Sequence, residues 1–342
     1  MSSLKYEFDE YSPEDTIRKI IGRNMTRYQV LDDIINKDII DLKTFVINGD
    51  SILIDLHKFL DRSSKDLKNI DFVYIISSSI INVIAHYRYY FAIHGWYPKI
   101  YFLADKNDDN AQIRESMEIV SMILKYVDNT YFIDMTNLAT GIIIKYFLKK
   151  NKENLILTRD DFDIMHISEN TYVLRAAKDK SKFYTCNNWQ KNISKKLYME
   201  YNNISYELLN MIMCFSGAHE RPGVKGIGAR TMLKKISNAI EAKDILNGRY
   251  YNIDDFISDM SGYFKKHDLK PARDNFRLYD VESNYDRFVT KAIEKRLDSY
   301  IEDKFSKKDL IMLNTKYFTG LNSLMLEELM IRPKSEKSKT RW

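Results

Sequence analysis

Between residues 44 and 175 the hydrophobic period changes repeatedly, and this alternation restricts the fold more than any other feature of the chain. Phe45-Val46-Ile47 and Ser51-Ile52-Leu53-Ile54 are short β-prone runs around Asn48-Gly49, a dipeptide suited to a hairpin turn. Phe72-Val73-Tyr74-Ile75-Ile76 fits either a strand or the start of a helix. Ile80, Val83, Ile84, Tyr87 and Phe91 then recur at helical spacing, with Gly95 just beyond. Lys99 to Leu103 reads as a strand leading to Asp105, 111–126 as a helix and Tyr131-Phe132-Ile133 as a strand. Leu138 to Leu148 reads as a helix and Asn154 to Thr158 as a strand. Strands alternating with helices predict an α/β domain, its mainly parallel sheet covered on both faces. From about residue 196 strand signals fade, and helices are expected over 204–215, 229–240, 254–265 and 285–304.

In sheets of this kind ligands bind beyond the carboxyl ends of the strands. The chain places acids there: Asp55 after Ser51–Ile54, Asp105 and Asp134 after the next two strands, then Asp160, Asp161 and Asp163. One such aspartate is ordinarily a cap or turn residue. Several at successive parallel strand ends form a cluster that repels itself unless a cation neutralises it. Hard carboxylate oxygens suit Mg²⁺ or Mn²⁺. Two such ions can activate water and stabilise the leaving oxygen of a phosphodiester.

Ser216 to Ile236, SGAHERPGVKGIGARTMLKKI, is a separate signal. Gly223, Gly226 and Gly228 flank Val224 and Lys225 where one helix gives way to another. Met232, Leu233 and Ile236 give the following helix an apolar face, with Arg230, Lys234 and Lys235 as its cations. A glycine turn opening a helix presents N–H groups and the positive end of the helix dipole, a phosphate site. The plain alternative is an ordinary turn between structural helices.

The formal charge of +5, from 53 Lys+Arg against 48 Asp+Glu, is too small to mark a nucleic-acid binder, so any basic surface is local. Two cysteines supply neither a disulfide framework nor a zinc site, which fits a reducing compartment. No signal-peptide pattern opens the chain and no run is long and uncharged enough to span a bilayer; a soluble, intracellular protein is expected. Residues 1–43 read as a helical extension. Arg332 to Trp342, with five cations and one acid, reads as a mobile basic tail. Either segment is a candidate for a protein partner. Tyr87-Arg88-Tyr89-Tyr90 mixes rings with a cation, but its place on a helical stripe favours core packing.

PGVKGIGARTMLKKI closely resembles the helix-three-turn-helix of the flap endonuclease and 5′–3′ exonuclease family. ILIDLHKFL is similar to that family's first strand with its metal-binding aspartate, KIYFLADKN to the strand ending in the second acid, and LILTRDDFDIMHI to its paired-aspartate segment. The resemblance runs from about residue 45 to 240. It implies a PIN-like domain over 44–200, a helix-three-turn-helix region over 201–305 and a C-terminal segment over 306–342. It also implies metal ligation by Asp55, Asp105, Asp161 and Asp163, with Asp160 able to replace one and Asp134 contributing through water. Gly223, Val224, Lys225, Gly226, Gly228, Arg230 and Lys234 would hold the backbone of DNA or an RNA–DNA hybrid, with a monovalent cation at the hairpin. The acid set is incomplete against that pattern. Asp134-Met135-Thr136-Asn137 has a single carboxylate where a glutamate-plus-aspartate cluster is usual, and Ala218 stands where an acid precedes the hairpin. The interval from Asp105 to Asp134 lacks the longer cationic arch of active relatives. Two readings follow: a metal-dependent 5′ nuclease, with one ion or two, or a catalytically impaired member acting as a DNA-binding or assembly component.

Overall fold

The computed structural model describes residues 42–49, 52–53, 69–106, 109–150, 153–158, 163, 166–167, 169–175, 182–184, 206–218, 221–239, 252–279, 281–300 and 329. Its centre is a six-stranded sheet of β1 (Thr44–Asn48), β2 (Lys99–Ala104), β3 (Thr130–Asp134), β4 (Asn154–Thr158), β5 (Thr171–Arg175) and β6 (Lys182–Tyr184), in the order β3-β2-β1-β4-β5-β6. The first five strands are mutually parallel and β6 returns antiparallel to β5. This is the mainly parallel α/β sheet that the alternating periods predict.

Each central strand is apolar on both sides, because both faces of the sheet are covered. Phe45, Ile47, Ile100, Phe102, Leu155 and Leu157 join one core with α1 (Asn69–Ile93) and α2 (Ala111–Leu124). Val46, Tyr101, Leu103, Ile133, Ile156 and Val173 join a second core with α3 (Thr140–Lys149). That second core continues without a break into the helical region, through Met211, Phe215, Val224, Ile227, Met232 and Phe256. Leu329 is fully buried in the first core.

Beyond the sheet come α4 (Tyr206–Ser216), a small hairpin of β7 (Gly217–Ala218) and β8 (Arg221–Pro222), and α5 (Ala229–Ala239). They are followed by α6 (Ile253–Asp259), α7 (Ser261–Phe264), α8 (Lys270–Tyr279), α9 (Val281–Phe288) and α10 (Lys291–Ser299). The helices expected over 254–265 and 285–304 are each broken in two, and α8 has no counterpart in the expectation. Among the described residues, no helix is long and apolar enough to cross a membrane.

One expected element is overturned. Asn48-Gly49 is not a hairpin turn: β1 pairs in parallel with β2 and β4, and among the described residues it has no antiparallel partner. Gly49 donates its N–H to the Leu103 carbonyl at 2.8 Å, and a Cβ there would lie 2.3 Å from that oxygen, so the approach requires glycine. Its carbonyl then accepts from the N–H groups of Ile52 and Leu53, which turn helically rather than extend. The sheet's first strand therefore ends at Asn48, not before Asp55. Residues 72–76, open between strand and helix by pattern, lie inside α1.

Two expectations about surface residues are settled by packing. Tyr87 and Tyr90 are buried, and Arg88 donates to the Asp128 carbonyl and, at 2.8 Å, to Thr130 Oγ1, tying α1 to the start of β3. The 111–126 interval is a core helix rather than an arch: Ile113, Met117, Val120 and Leu124 face α1, and Arg114, Glu115 and Glu118 face solvent. Residues 1–41 of the expected 1–43 extension and the 332–342 tail lie outside the described residues.

Candidate nucleic-acid interface and the acidic sheet end

The hairpin is assembled from α4 downwards. Val224 donates its N–H to the Phe215 carbonyl at 2.8 Å, and Ile227 to the Val224 carbonyl at 2.9 Å, closing a tight turn with Lys225-Gly226 at its tip. Val224 and Ile227 are buried, whereas Lys225, Gly226 and Gly228 are exposed. The glycines do different work. A Cβ on Gly223 would stand 2.3 Å from the Ser216 carbonyl carbon and 2.5 Å from the Phe215 oxygen, so this position needs glycine for packing. Gly226 has φ +82°, a left-handed conformation, yet a Cβ there would meet nothing within 4 Å. Gly228 is equally open.

Helix α5 starts directly behind this tip, with Met232 donating to the Gly228 carbonyl and no acid in the first turn. The first-turn N–H groups of α5, which lack intrahelical acceptors, and the positive end of its dipole therefore follow directly on Gly228. Lys234 is exposed, and Arg230 lies in the first turn. Lys235 is diverted inward, donating to the Tyr263 carbonyl at 2.9 Å, so it braces α5 against α7. Phe215 beneath the turn stacks on Phe264, with ring centroids 4.7 Å apart.

A residue not singled out by the sequence pattern positions this assembly. Asn275 of α8 is buried, and its amide donates to the carbonyls of Cys214 (2.9 Å) and Pro222 (3.3 Å). It thus ties the end of α4 to the residue preceding Gly223. An asparagine inside a polar-flanked helix carries no sequence signal for this role.

The described acids divide into two places. At the ends of β2 and β3, the Thr136 hydroxyl lies 2.8 Å from Asp105 Oδ1 and 2.6 Å from Asp134 Oδ1. One hydroxyl proton serves one of these carboxylates at a time. Asp134 Oδ1 also accepts from the Thr136 N–H at 3.0 Å and the Lys106 N–H at 3.4 Å. Burial raises the Asp134 pKa, but these hydrogen bonds and the Arg296 charge outweigh it and hold the carboxyl below its ordinary value.

The second place is the switch point of the topology, where β1 lies between β2 and β4. There Asn48, Thr158 and Asp163 are all buried. Asp163 Oδ2 accepts from Asn48 Nδ2 at 3.0 Å and from the Thr158 hydroxyl. The residue ending the central strand is therefore an amide, and the acid beside it is engaged within the protein.

Among the described residues, no three His, Cys, Asp or Glu side chains are grouped so as to hold a metal ion. Asp105 and Asp134 are together; Asp163 is not grouped with them. Asp55, Asp160 and Asp161 lie outside the described residues. The described donors do not fit a two-ion centre, since one amide, two engaged aspartates and one exposed aspartate offer too few open oxygens. His166, three residues beyond Asp163 in sequence, is a different case. Its Nε2 is buried with no hydrogen-bond partner among the described residues, and burial together with the Lys145 charge pushes its pKa down to about 3.

No family model matches the chain, and no curated protein sequence matches it. Among solved structures it is similar to T5 5′-exonuclease with zinc bound, at 13% identity and a TM-score of 0.46, covering 79% of this chain and 99% of that one. It is also similar to the T5 D15 protein co-crystallised with metal ions, at 11% identity and a TM-score of 0.45, over 79% and 99% of the two chains. A bacteriophage T5 D15 flap endonuclease complex with DNA and metal ions gives 12% identity and a TM-score of 0.44, over 80% and 99%.

Proposed function

We propose that this chain binds the backbone of double-stranded DNA through the Gly223–Gly228 hairpin and the first turns of α5, without reading sequence. The observation that carries this is the open, left-handed Gly226 beside the exposed Gly228 at a helix N-terminus, a surface on which backbone N–H groups meet a phosphate unobstructed. Gly223, Val224 and Ile227 shape the turn. Lys225, Gly226, Gly228 and Lys234 face the duplex, and Arg230 joins them in this proposal by its position in the first turn of α5. RNA–DNA hybrids offer the same phosphate geometry on one strand and belong to the same proposal, as does a monovalent cation at the turn.

The second reading is a metal-dependent 5′ nuclease, and the pairing of Asp105 with Asp134 across Thr136 favours it. Against it stand Asn48 at the central strand end and the internal bonding of Asp163. We therefore place the chain as a DNA-binding protein on a nuclease-type fold, with hydrolysis impaired or absent.

The deciding experiment is a gel-shift titration on plain, nicked and flapped duplexes, run with a cleavage assay in Mg²⁺ and in Mn²⁺. Binding to all three, weakened alike by Gly226→Val and Lys234→Ala, is the expected result. Full affinity in both variants would move the site elsewhere. Robust Mg²⁺-dependent cleavage of a 5′ flap, abolished by Asp105→Ala, would establish the nuclease instead.

A further inference from the structure

The acidic end of the sheet contains a cation supplied by the protein. Arg296 reaches from α10 to the end of β3, with Nη2 3.1 Å from the Asp134 carbonyl oxygen and 3.6 Å from Asp134 Oδ2. Nη1 is 3.4 Å from the Thr136 carbonyl, and Nε donates to the Tyr300 hydroxyl at 3.3 Å. Most of the guanidinium fork is thus spent on the 134–136 turn and on its own helix.

The helix that aims this fork is fixed independently. Leu297 is fully buried, and Asp298 Oδ1 accepts from the Tyr146 hydroxyl (2.8 Å) and from Lys150 Nζ (2.7 Å), both on or next to α3. Arg296 is consequently held by the two residues that directly follow it. Asp105 and Asp134 meanwhile share the Thr136 hydroxyl, and two carboxylates that close repel each other unless a positive charge is present. In a metal site a divalent ion provides that charge. Here a guanidinium does, and an ion approaching Asp134 Oδ2 meets like charge.

We infer that Arg296 is a built-in counter-cation, replacing a divalent ion at Asp134 and closing the ends of β2 and β3 to Mg²⁺ and Mn²⁺. The seat of α10 on the sheet is then independent of metal. This inference does not depend on duplex binding by the hairpin, so either can fail alone.

The test is thermal unfolding of the full chain in EDTA and in Mn²⁺, with duplex affinity measured separately. Wild type and Asp134→Asn are expected to show the same Mn²⁺-induced change in Tm, whatever its size, because Asp134 is not a ligand. Arg296→Gln is expected to gain a Mn²⁺-dependent rise of roughly 2–4 °C over wild type. That gain should vanish in Arg296→Gln/Asp134→Asn, and Arg296→Lys, which keeps the charge, should not show it. A wild-type Mn²⁺ response diminished by Asp134→Asn would overturn the inference, and so would a folded Arg296→Gln with no gain. If Arg296→Gln does not fold, the wild-type and Asp134→Asn comparison decides by itself.

Discussion

The hairpin and the acidic sheet end are the two places the sequence marks for a ligand, and they are built in opposite ways. At the hairpin, Gly226 and Gly228 leave backbone exposed, and α5 begins without an acid to occupy its N-terminus. At the sheet end the polar atoms are turned inward: Asp163 to Asn48 and Thr158, and Asp134 to Thr136, Lys106 and Arg296. An open donor surface gains by meeting an external anion. A carboxylate already hydrogen-bonded and charge-paired gains little from an external cation, which must break those bonds and shed its own water. The difference teaches that strand-end acids do not make a metal centre unless their oxygens are left free.

The largest effect should come from Gly223→Ala, which drives a methyl into the α4 backbone. A loss of about 3 kcal/mol or more is expected in urea unfolding, against less than ~0.5 kcal/mol for Gly228→Ala. Equal costs would mean that the two glycines are not divided between packing and access. Asn275→Leu removes the donor from two buried carbonyls and should cost roughly 1–3 kcal/mol, with weakened duplex binding as the turn loosens. Full affinity in that variant would show that α8 does not set the hairpin's geometry. Gly226→Val strains a left-handed position and covers the exposed backbone; duplex affinity should fall about tenfold, or ~1.4 kcal/mol.

A buried histidine should make the fold acid-sensitive. His166 has its pKa depressed to about 3, so the unfolded chain binds the extra proton between its ordinary value and that one. Its contribution is complete above about pH 6.5 and is lost progressively as pH falls to about 3, its value in the folded chain. Stability of His166→Gln should be flatter across that window; an unchanged slope would place the acid sensitivity in another group. Lys234→Ala is the smallest change. It should leave stability within ~0.5 kcal/mol and reduce the slope of log affinity against log salt by about 0.9. A slope equal to wild type would remove Lys234 from the phosphate contacts.

Much of this was legible in order along the chain. Short continuous apolar runs place β2, β3 and β4, and apolar residues at helical spacing place α2 and α3. Spacing alone likewise marks the hairpin: glycines three and two residues apart before an amphipathic helix admit few backbone paths. Asn48-Gly49 was misleading for a physical reason. The same dipeptide that favours a hairpin also permits the close parallel approach to Leu103, and only the partner strand distinguishes the two. The identity of the central strand, and with it the amide at its end, was therefore settled by tertiary pairing.

What the sequence by itself determined is the class of sheet, the run of elements from β2 to β4 and the glycine turn at Gly223–Gly228, all consequences of contacts between near neighbours. The fate of the acids belongs to the tertiary structure. Asn48 and Asp163 are 115 residues apart, and Arg296 acts on Asp134 across 162. Whether a carboxylate is open to an ion depends on which donors reach it first, and those donors arrive from elements that no local pattern brings together.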